Sequence, residues 1–92
     1  MPVMKKLVVG ESGQPSEFHA ITELAVDREA GVATIVLTSW SDLGVAMARG
    51  ASVDRRIIDM HVGTWSPEMA FQLLGLLTTL PPWVGAEILD QD

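Results

Sequence analysis

The sequence predicts an α+β domain, in which a mainly antiparallel, twisted sheet of four or five strands carries one long helix. Three observations support this prediction. Residues 18–40 contain two alternating apolar runs joined by a short loop that ends in glycine. Residues 52–64 alternate in the same way, and residues 67–80 are leucine-rich with helical spacing. A chain of 92 residues is expected to form a single domain, spanning residues 1–92.

Two short segments come before the hairpin. Residues 5–10 predict a first strand, and residues 11–16 have the composition of a loop because they contain glycine and proline.

The hairpin itself is predicted from its turn and its two strands. Residues 27–31 suit a type I turn closed by a left-handed glycine. Residues 32–40 are apolar on both parities, which is typical of a strand that is central or covered on both sides. The drier face of the preceding strand is predicted to hold Phe18, Ala20, Thr22, Leu24 and Val26.

The segment after the hairpin predicts a short helix and then another strand. Either Ser41 or Asp42 can cap a helix and Gly50 can end it, so we expect one or two turns near residues 42–48. In residues 52–64 the apolar parity alternates with charged residues on the other parity, as in a strand with one wet face.

The leucine-rich stretch at residues 67–80 is the strongest helix signal. Ser66 can cap it, Pro67 suits its first position, and Pro81 with Pro82 would stop it. Its apolar side chains would occupy roughly 220° of the circumference, whereas a helix lying on one sheet needs about 100–140°. Either a neighbouring subunit covers the excess, or residues 83–89 fold back over it as a last strand. Residues 82–92 could instead form an extended C-terminal arm. The predicted core contains Leu24, Val26, Val36, Ile58, Met60, Leu73 and Leu77.

Composition excludes several classes of function. The formal net charge is −6, which disfavours nucleic acid because phosphate binding needs clustered Lys and Arg. The absence of cysteine excludes disulfides and thiolate metal sites. No apolar run suits a signal peptide or the ~20 residues of a membrane span. Yet 48% of the residues are hydrophobic and the mean hydropathy is +0.28, which is more apolar surface than one small core easily buries.

The helix and the tryptophans supply the candidate interface. Tryptophan is enriched at protein interfaces, although each one could also be a core residue or a platform for a sugar. In the interface interpretation, one flank of the helix at residues 67–80 meets a neighbouring subunit. The candidate interface residues are Trp40, Trp65, Phe71, Leu74, Leu76, Leu80 and Trp83.

Two weaker signals bear on chemistry. Asp59 and His61 share a strand face, and His19 is the other histidine, but no metal-binding motif surrounds them, so we expect no metal and no cofactor. If Met1 is removed, Pro2 could act as an N-terminal base, as in the tautomerase family. That family has a long helix after its first strand, where this chain has a breaker-rich loop, so we predict no catalytic residue.

The hairpin also carries a resemblance. His19, Ala20 and Ile21, then Val26 and Asp27, then residues 33–36 and 39–40, are similar to an opening hairpin of small tail-region proteins of tailed bacteriophages. The similarity covers about a quarter of the chain. It implies a virion component near the tail tip, baseplate or fibre attachment, without catalysis.

These observations predict a non-catalytic structural subunit that self-associates and docks to other virion proteins. The first alternative is a cytoplasmic adaptor or regulatory module that is monomeric until it captures a partner. The second is a small enzyme that uses Pro2 or the His–Asp pair.

Overall fold

The computed structural model describes residues 2–10, 13–61 and 69–90, with the backbone alone for residues 69–71 and 90. All neighbouring strands are antiparallel, in the order β4-β3-β2-β1-β5, so β4 and β5 form the two edges. The elements are β1 (Pro2–Val9), β2 (Pro15–Asp27), β3 (Val32–Trp40), α1 (Leu43–Met47), β4 (Asp54–His61), α2 (Met69–Leu77) and β5 (Glu87–Asp90).

The predicted α+β class with one long helix is wrong. The described part of the chain is mostly antiparallel sheet with two short helices. Helix α2 spans nine residues, Met69–Leu77, and α1 spans five. The predicted helix start at residue 67 lies outside the described residues. The long hairpin of β2 and β3 contributes 13 and nine residues to the sheet, so strands and not helices dominate the fold.

Helix α2 ends before the two prolines because threonine side chains satisfy its last carbonyls. The Thr78 hydroxyl donates to the Gly75 carbonyl at 2.7 Å, and the Thr79 hydroxyl donates to the Leu76 carbonyl at 2.6 Å. The backbone also tightens, since the Thr79 amide donates to the Leu76 carbonyl. Such local bonds compete with the α-helical ladder and favour its end. Residues 81–86 then form turns that lead into β5.

The two faces of the sheet are covered unequally. On the α2 face, a core cluster is formed by Met4, Ala33, Ile35, Leu37, Met60, Leu73, Leu74, Leu77 and Trp83. On the opposite face, which we call the α1 face, a smaller cluster is formed by Val3, Ala20, Trp40 and Ala46. Adjacent residues of one strand belong to different clusters, as strand geometry requires.

The predicted core is partly correct. Met60, Leu73 and Leu77 are buried, and Ile58 packs against their cluster. The prediction is wrong for Leu24 and Val26, which are 40% and 43% exposed, and Val36 is only half-buried. Leu24 and Val26 follow a β-bulge in β2, and neither belongs to a core cluster.

The β-bulge at Thr22 changes which face β2 presents. Ile21 pairs with Leu37, but Glu23 pairs with Val36, so β2 contains one extra residue there. A one-residue shift moves all later side chains to the other face. The predicted single dry face therefore holds for Phe18 and Ala20 but not beyond Thr22. The Thr22 hydroxyl is held at the bulge by a 2.8 Å hydrogen bond with the Thr38 hydroxyl.

The two turns that flank β3 follow the sequence prediction more closely. Gly31 has a positive φ of 68°, as expected for the residue that closes the hairpin loop. Asp42 caps α1, because its carboxylate accepts from the Val45 amide at 3.1 Å. Gly44 fits beside that cap, since a Cβ there would lie 3.0 Å from the Asp42 carboxylate.

Candidate functional site

The main polar cluster lies on the α2 face, where residues from three strands meet. His19 of β2 stands opposite Ser39 of β3, and Ser39 stands opposite Asp54 of β4. These three residues line a small pocket together with Arg56 and Trp83. The Arg56 guanidinium lies over the Trp83 ring, 5.3 Å from its centroid, a cation–π contact that closes one side.

The hydrogen bonds of His19 fix its tautomer. Its Nε2 atom lies 2.8 Å from the Lys6 carbonyl oxygen, and its Nδ1 atom lies 2.7 Å from the Ser39 hydroxyl. A carbonyl can only accept, so Nε2 carries the proton and donates to it. Nδ1 of the neutral ring therefore accepts from the Ser39 hydroxyl. Through these two hydrogen bonds, the His19 imidazole of β2 is joined to β1 and to β3.

Burial favours the neutral form of this ring. Desolvation lowers the pKa of His19 from its ordinary value of 6.5, and the nearby Arg56 charge lowers it further. The hydrogen bond to the Lys6 carbonyl and the charge of Asp54 act in the opposite direction and raise the pKa. The net effect is a lowered pKa, which matches the neutral tautomer that the hydrogen bonds require.

This cluster contains the residue types of a Ser–His–Asp hydrolase, but its surroundings differ. The His19 and Ser39 residues are only 1% and 7% exposed. The free space between the lining residues is about 10 Å³, which is about the space that one water molecule needs. A hydroxyl in such a space can anchor strands, and this supports a structural role for the cluster.

Sequence reasoning missed this cluster because its members come from three strands. His19, Ser39 and Asp54 have no common spacing along the chain, and only the register of the sheet brings them together. The hairpin loop alone would predict which residues of β2 and β3 face each other near the turn. On the side of Thr22 away from the turn, where His19 lies, that pairing is shifted by one residue. The bulge must therefore be known before His19 can be placed opposite Ser39.

The candidate metal ligands do not converge around His19. Both of its ring nitrogens are occupied by hydrogen bonds inside the chain. Asp59 and His61 share one face of β4, and Asp59 accepts from the Thr34 hydroxyl at 2.6 Å. Among residues 2–10, 13–61 and 69–90, no group of three or more His, Cys, Asp and Glu side chains could hold a metal ion.

Pro2, the candidate N-terminal base, begins β1. It is half-buried and stands opposite Asp90 of β5 in the β1–β5 register. Residues 87–90, which the sequence allowed as a strand or an arm, therefore pair with this chain's own first strand.

The candidate interface residues fall into three groups. One group, Trp40, Leu74 and Trp83, is buried in the chain's own clusters, with exposures of 2%, 0% and 6%. A second group, Leu76 and Leu80, remains exposed at 45% and 44%. The third group, Trp65 and the side chain of Phe71, lies outside the described residues.

Trp40 has a local role that accounts for its burial. Its indole nitrogen donates to the Gly50 carbonyl at 3.1 Å. This hydrogen bond anchors the segment that follows α1 to the end of β3. Because Trp40 is only 2% exposed, its ring presents little surface on which a sugar could stack.

An open cleft of about 340 Å³ lies on the α1 face beside the end of α1. Arg49, Arg55 and Glu23 are among its lining residues. A guanidinium nitrogen of Arg55 lies 3.7 Å from the Glu23 carboxylate, so the acid balances part of the positive charge. The Arg55 and Glu23 side chains that line the cleft are therefore paired with each other.

Several large apolar side chains are exposed on the surface of the described residues. Ile57 of β4 is 74% exposed and Leu7 of β1 is 65% exposed. Both values are high for large aliphatic residues, which usually prefer burial. Within the described ranges, the exposed large hydrophobic residues are Leu7, Val9, Leu24, Val26, Val45, Met47, Ile57, Leu76, Leu80 and Val84.

In the comparisons with known proteins, no protein-family model, no curated protein and no solved structure matches the chain. Neither helix in the described part of the chain is long and apolar enough to cross a membrane.

Proposed function

We propose that this chain is a non-catalytic structural subunit that self-associates through its exposed apolar surface. The observation that carries the proposal is the set of exposed large hydrophobic residues named above. They lie on strands β1, β2 and β4, on both helices, and in the turns after α2. Exposed apolar side chains that adjoin one another on a protein surface are typical of interaction sites.

The flank of α2 is the first of these surfaces. Leu73, Leu74 and Leu77 are fully buried against the sheet, whereas Leu76 is 45% exposed. Leu80 and Val84, which follow in the chain, are also exposed. Of the apolar excess that the sequence predicted for residues 67–80, Leu76 and Leu80 are the exposed leucines among the described side chains.

Burial of this surface in a complex would contribute favourable free energy to association. At about 25 cal/mol per Å², an additional ~400 Å² of apolar surface per protomer is worth roughly 10 kcal/mol before association costs are subtracted. Those costs consume much of the gain, so contacts at more than one surface favour a stable assembly.

The setting we propose is a virion, in the tail, baseplate or fibre-attachment region of a tailed bacteriophage. The support is the resemblance of residues 18–42 to the hairpin of small tail-region proteins. The partners would be further copies of this chain and other virion proteins. The acidic net charge of −6 agrees with partners other than nucleic acid.

Light scattering on the purified protein over a dilution series tests self-association. We expect a mass above that of one chain, and a lower mass for Leu76→Glu, because a carboxylate on the α2 flank opposes burial. Gln72→Glu is the matched control, since Gln72 is exposed on the same helix and the variant adds the same charge. Circular dichroism should show that both variants keep the fold.

Two outcomes would contradict the proposal. A wild-type protein that is monomeric at every concentration would favour the adaptor alternative, in which association requires a different partner. Loss of folding in Leu76→Glu would place this flank in the protomer's own core. Intact mass with Met1 retained would separately eliminate an enzyme that uses Pro2 as a base.

A further inference from the structure

Strand β4 is the longer of the two sheet edges. It spans eight residues, Asp54–His61, whereas the other edge strand, β5, spans four. Its inner side pairs with β3 along its whole length, and no strand in the described part of the chain pairs with its outer side. An edge strand of this length is a template for another strand unless its side chains prevent pairing.

The side chains of β4 on the α1 face form a symmetrical series. Arg55, Ile57 and Asp59 follow one another on this face, so a positive and a negative charge flank one aliphatic residue. The Arg55 side chain is 58% exposed and Ile57 is 74% exposed. In the opposite direction along the strand, the series becomes negative, aliphatic and positive.

We infer that β4 pairs antiparallel with β4 of a second copy, about a two-fold axis at Ile57. In this register Arg55 lies opposite the partner's Asp59, and Asp59 lies opposite the partner's Arg55. Ile57 lies opposite the partner's Ile57. The two five-stranded sheets then form one continuous sheet, and two opposite-charge pairs and one apolar pair stabilise the contact.

The charges select this register over its neighbours. Residues that lie directly opposite each other in an antiparallel pair are on the same face of the sheet. The two-fold axis must therefore pass through a residue and not between two residues, and the neighbouring registers have their axes at Arg56 and Ile58. An axis at Arg56 would place two Arg56 guanidinium groups against each other. An axis at Ile58 would place Ile57 against the partner's Asp59. The register about Ile57 contains no pair of like charges between residues 54 and 60.

The neighbouring strand extends the apolar part of the contact. Ile57 pairs with Val36 of β3, which is half-buried on the same face. Pairing about Ile57 therefore aligns two valines and two isoleucines in one row across both copies. This row gives a reason for a large aliphatic residue that is 74% exposed on a charged edge strand.

The charged side chains have existing partners that the contact can retain. Asp59 accepts from the Thr34 hydroxyl, but a carboxylate has about four acceptor sites. Arg55 lies 3.7 Å from Glu23, beyond hydrogen-bond distance, and both side chains are more than half exposed. Each group therefore has capacity for a partner across the contact.

The inference rests on the proposed function, because it assumes that the chain self-associates, and it adds the surface and the register. One pair of short strands buries little area, which places this contact among small interfaces. We therefore expect a dimer that dissociates on dilution.

Exchange of charges between two variants tests the register. Arg55→Asp alone would place a carboxylate opposite the partner's Asp59, and Asp59→Arg alone would place a guanidinium opposite the partner's Arg55. Sedimentation equilibrium should show dimer dissociation constants raised by about tenfold or more for each variant alone. An equimolar mixture should return to within about threefold of the wild type, because both pairs become complementary again.

The mixture separates this contact from effects inside one chain. Positions 55 and 59 are about 13 Å apart along one strand, so their side chains meet only across the two-fold axis. Any repulsion between the introduced carboxylate and Glu23 is present in the mixture too, so it cannot produce the recovery. If the single variants associate like the wild type, or if mixing gives no recovery, the inference is wrong while self-association stands. A monomeric wild type would overturn both.

Cross-linking gives a second measurement that does not depend on charge. The chain has no cysteine, so Ile57→Cys can form a disulfide only with the same residue of another copy. Residues opposite each other in an antiparallel pair have Cα atoms about 4.5–5.5 Å apart, within disulfide range. Leu7→Cys, at a position 65% exposed, is the control. Faster dimer formation by Ile57→Cys supports the inference, and equal rates would contradict it.

Discussion

The two faces of the sheet are stabilised in different ways. On the α2 face, three fully buried leucines of one helix pack on side chains from β1, β3 and β4. On the α1 face, the helix contributes a single buried alanine, Ala46, and is held by its caps and by the Trp40–Gly50 hydrogen bond. The comparison indicates that hydrophobic burial stabilises the first face and local hydrogen bonding positions the second. The open remainder of the α1 face includes the β4 series proposed to form the dimer.

The largest change in the free energy of unfolding should come from a cavity created on the α2 face. Leu73→Ala removes a fully buried side chain, and we expect a loss of about 2–5 kcal/mol in the free energy of unfolding. Urea denaturation followed by circular dichroism measures it. Leu76→Ala is the control, because a side chain that is 45% exposed should cost less than about 1 kcal/mol. Similar losses for the two variants would show that α2 does not pack as described.

A smaller effect on the same face should depend on pH. Burial lowers the pKa of His19 below 6.5, so the unfolded chain binds this proton more readily than the folded chain. The stability contributed by the neutral ring is complete above pH 6.5 and is lost as the pH falls through the lowered folded pKa. Denaturation at about pH 7.5 and about pH 5.5 should show a larger loss for wild type than for His19→Gln.

The matched control for this comparison is His61→Gln, since His61 is exposed at the end of β4. It should reproduce the wild-type loss between the two pH values. Equal losses in wild type and His19→Gln would mean that another group controls the acid sensitivity.

The smallest expected change is an increase in the free energy of unfolding from a substitution on the α1 face. Arg49 follows α1 with a φ of 52°, a left-handed conformation in which glycine is usual. The Arg49 amide donates to the Ala46 carbonyl and the Gly50 amide to the Val45 carbonyl, which is the Schellman pattern. Arg49→Gly should raise the free energy of unfolding by about 0.5 kcal/mol, because relief of strain exceeds the added chain entropy.

Gly50→Ala provides the opposite control at the next residue. A Cβ at position 50 would lie 2.9 Å from Cγ1 of Val45, so this variant should be destabilised. Thermal unfolding of both variants measures the two signs. A loss for Arg49→Gly would indicate that the arginine side chain contributes more than its backbone strain costs.

Part of the fold could be predicted from local patterns. The hairpin, its left-handed glycine and the short helix capped by Asp42 all occur where the sequence indicates them. Each depends on residues close in the chain, whose turn and cap chemistry is set by their own side chains. The helix prediction overestimated length because Thr78 and Thr79 redirect the last carbonyls, an effect that apolar periodicity does not register.

The sequence by itself determined the alternation of the strands, the positions of the turns and the apolar excess, because these follow from side-chain chemistry over a few residues. Only the tertiary structure decided which face each residue occupies after Thr22, since one extra residue in β2 reverses the pattern. It also decided that His19, Ser39 and Asp54 form one row and that Trp40 and Trp83 are buried in the chain itself. Strand register and packing between distant segments set these outcomes, and neither is encoded in local spacing.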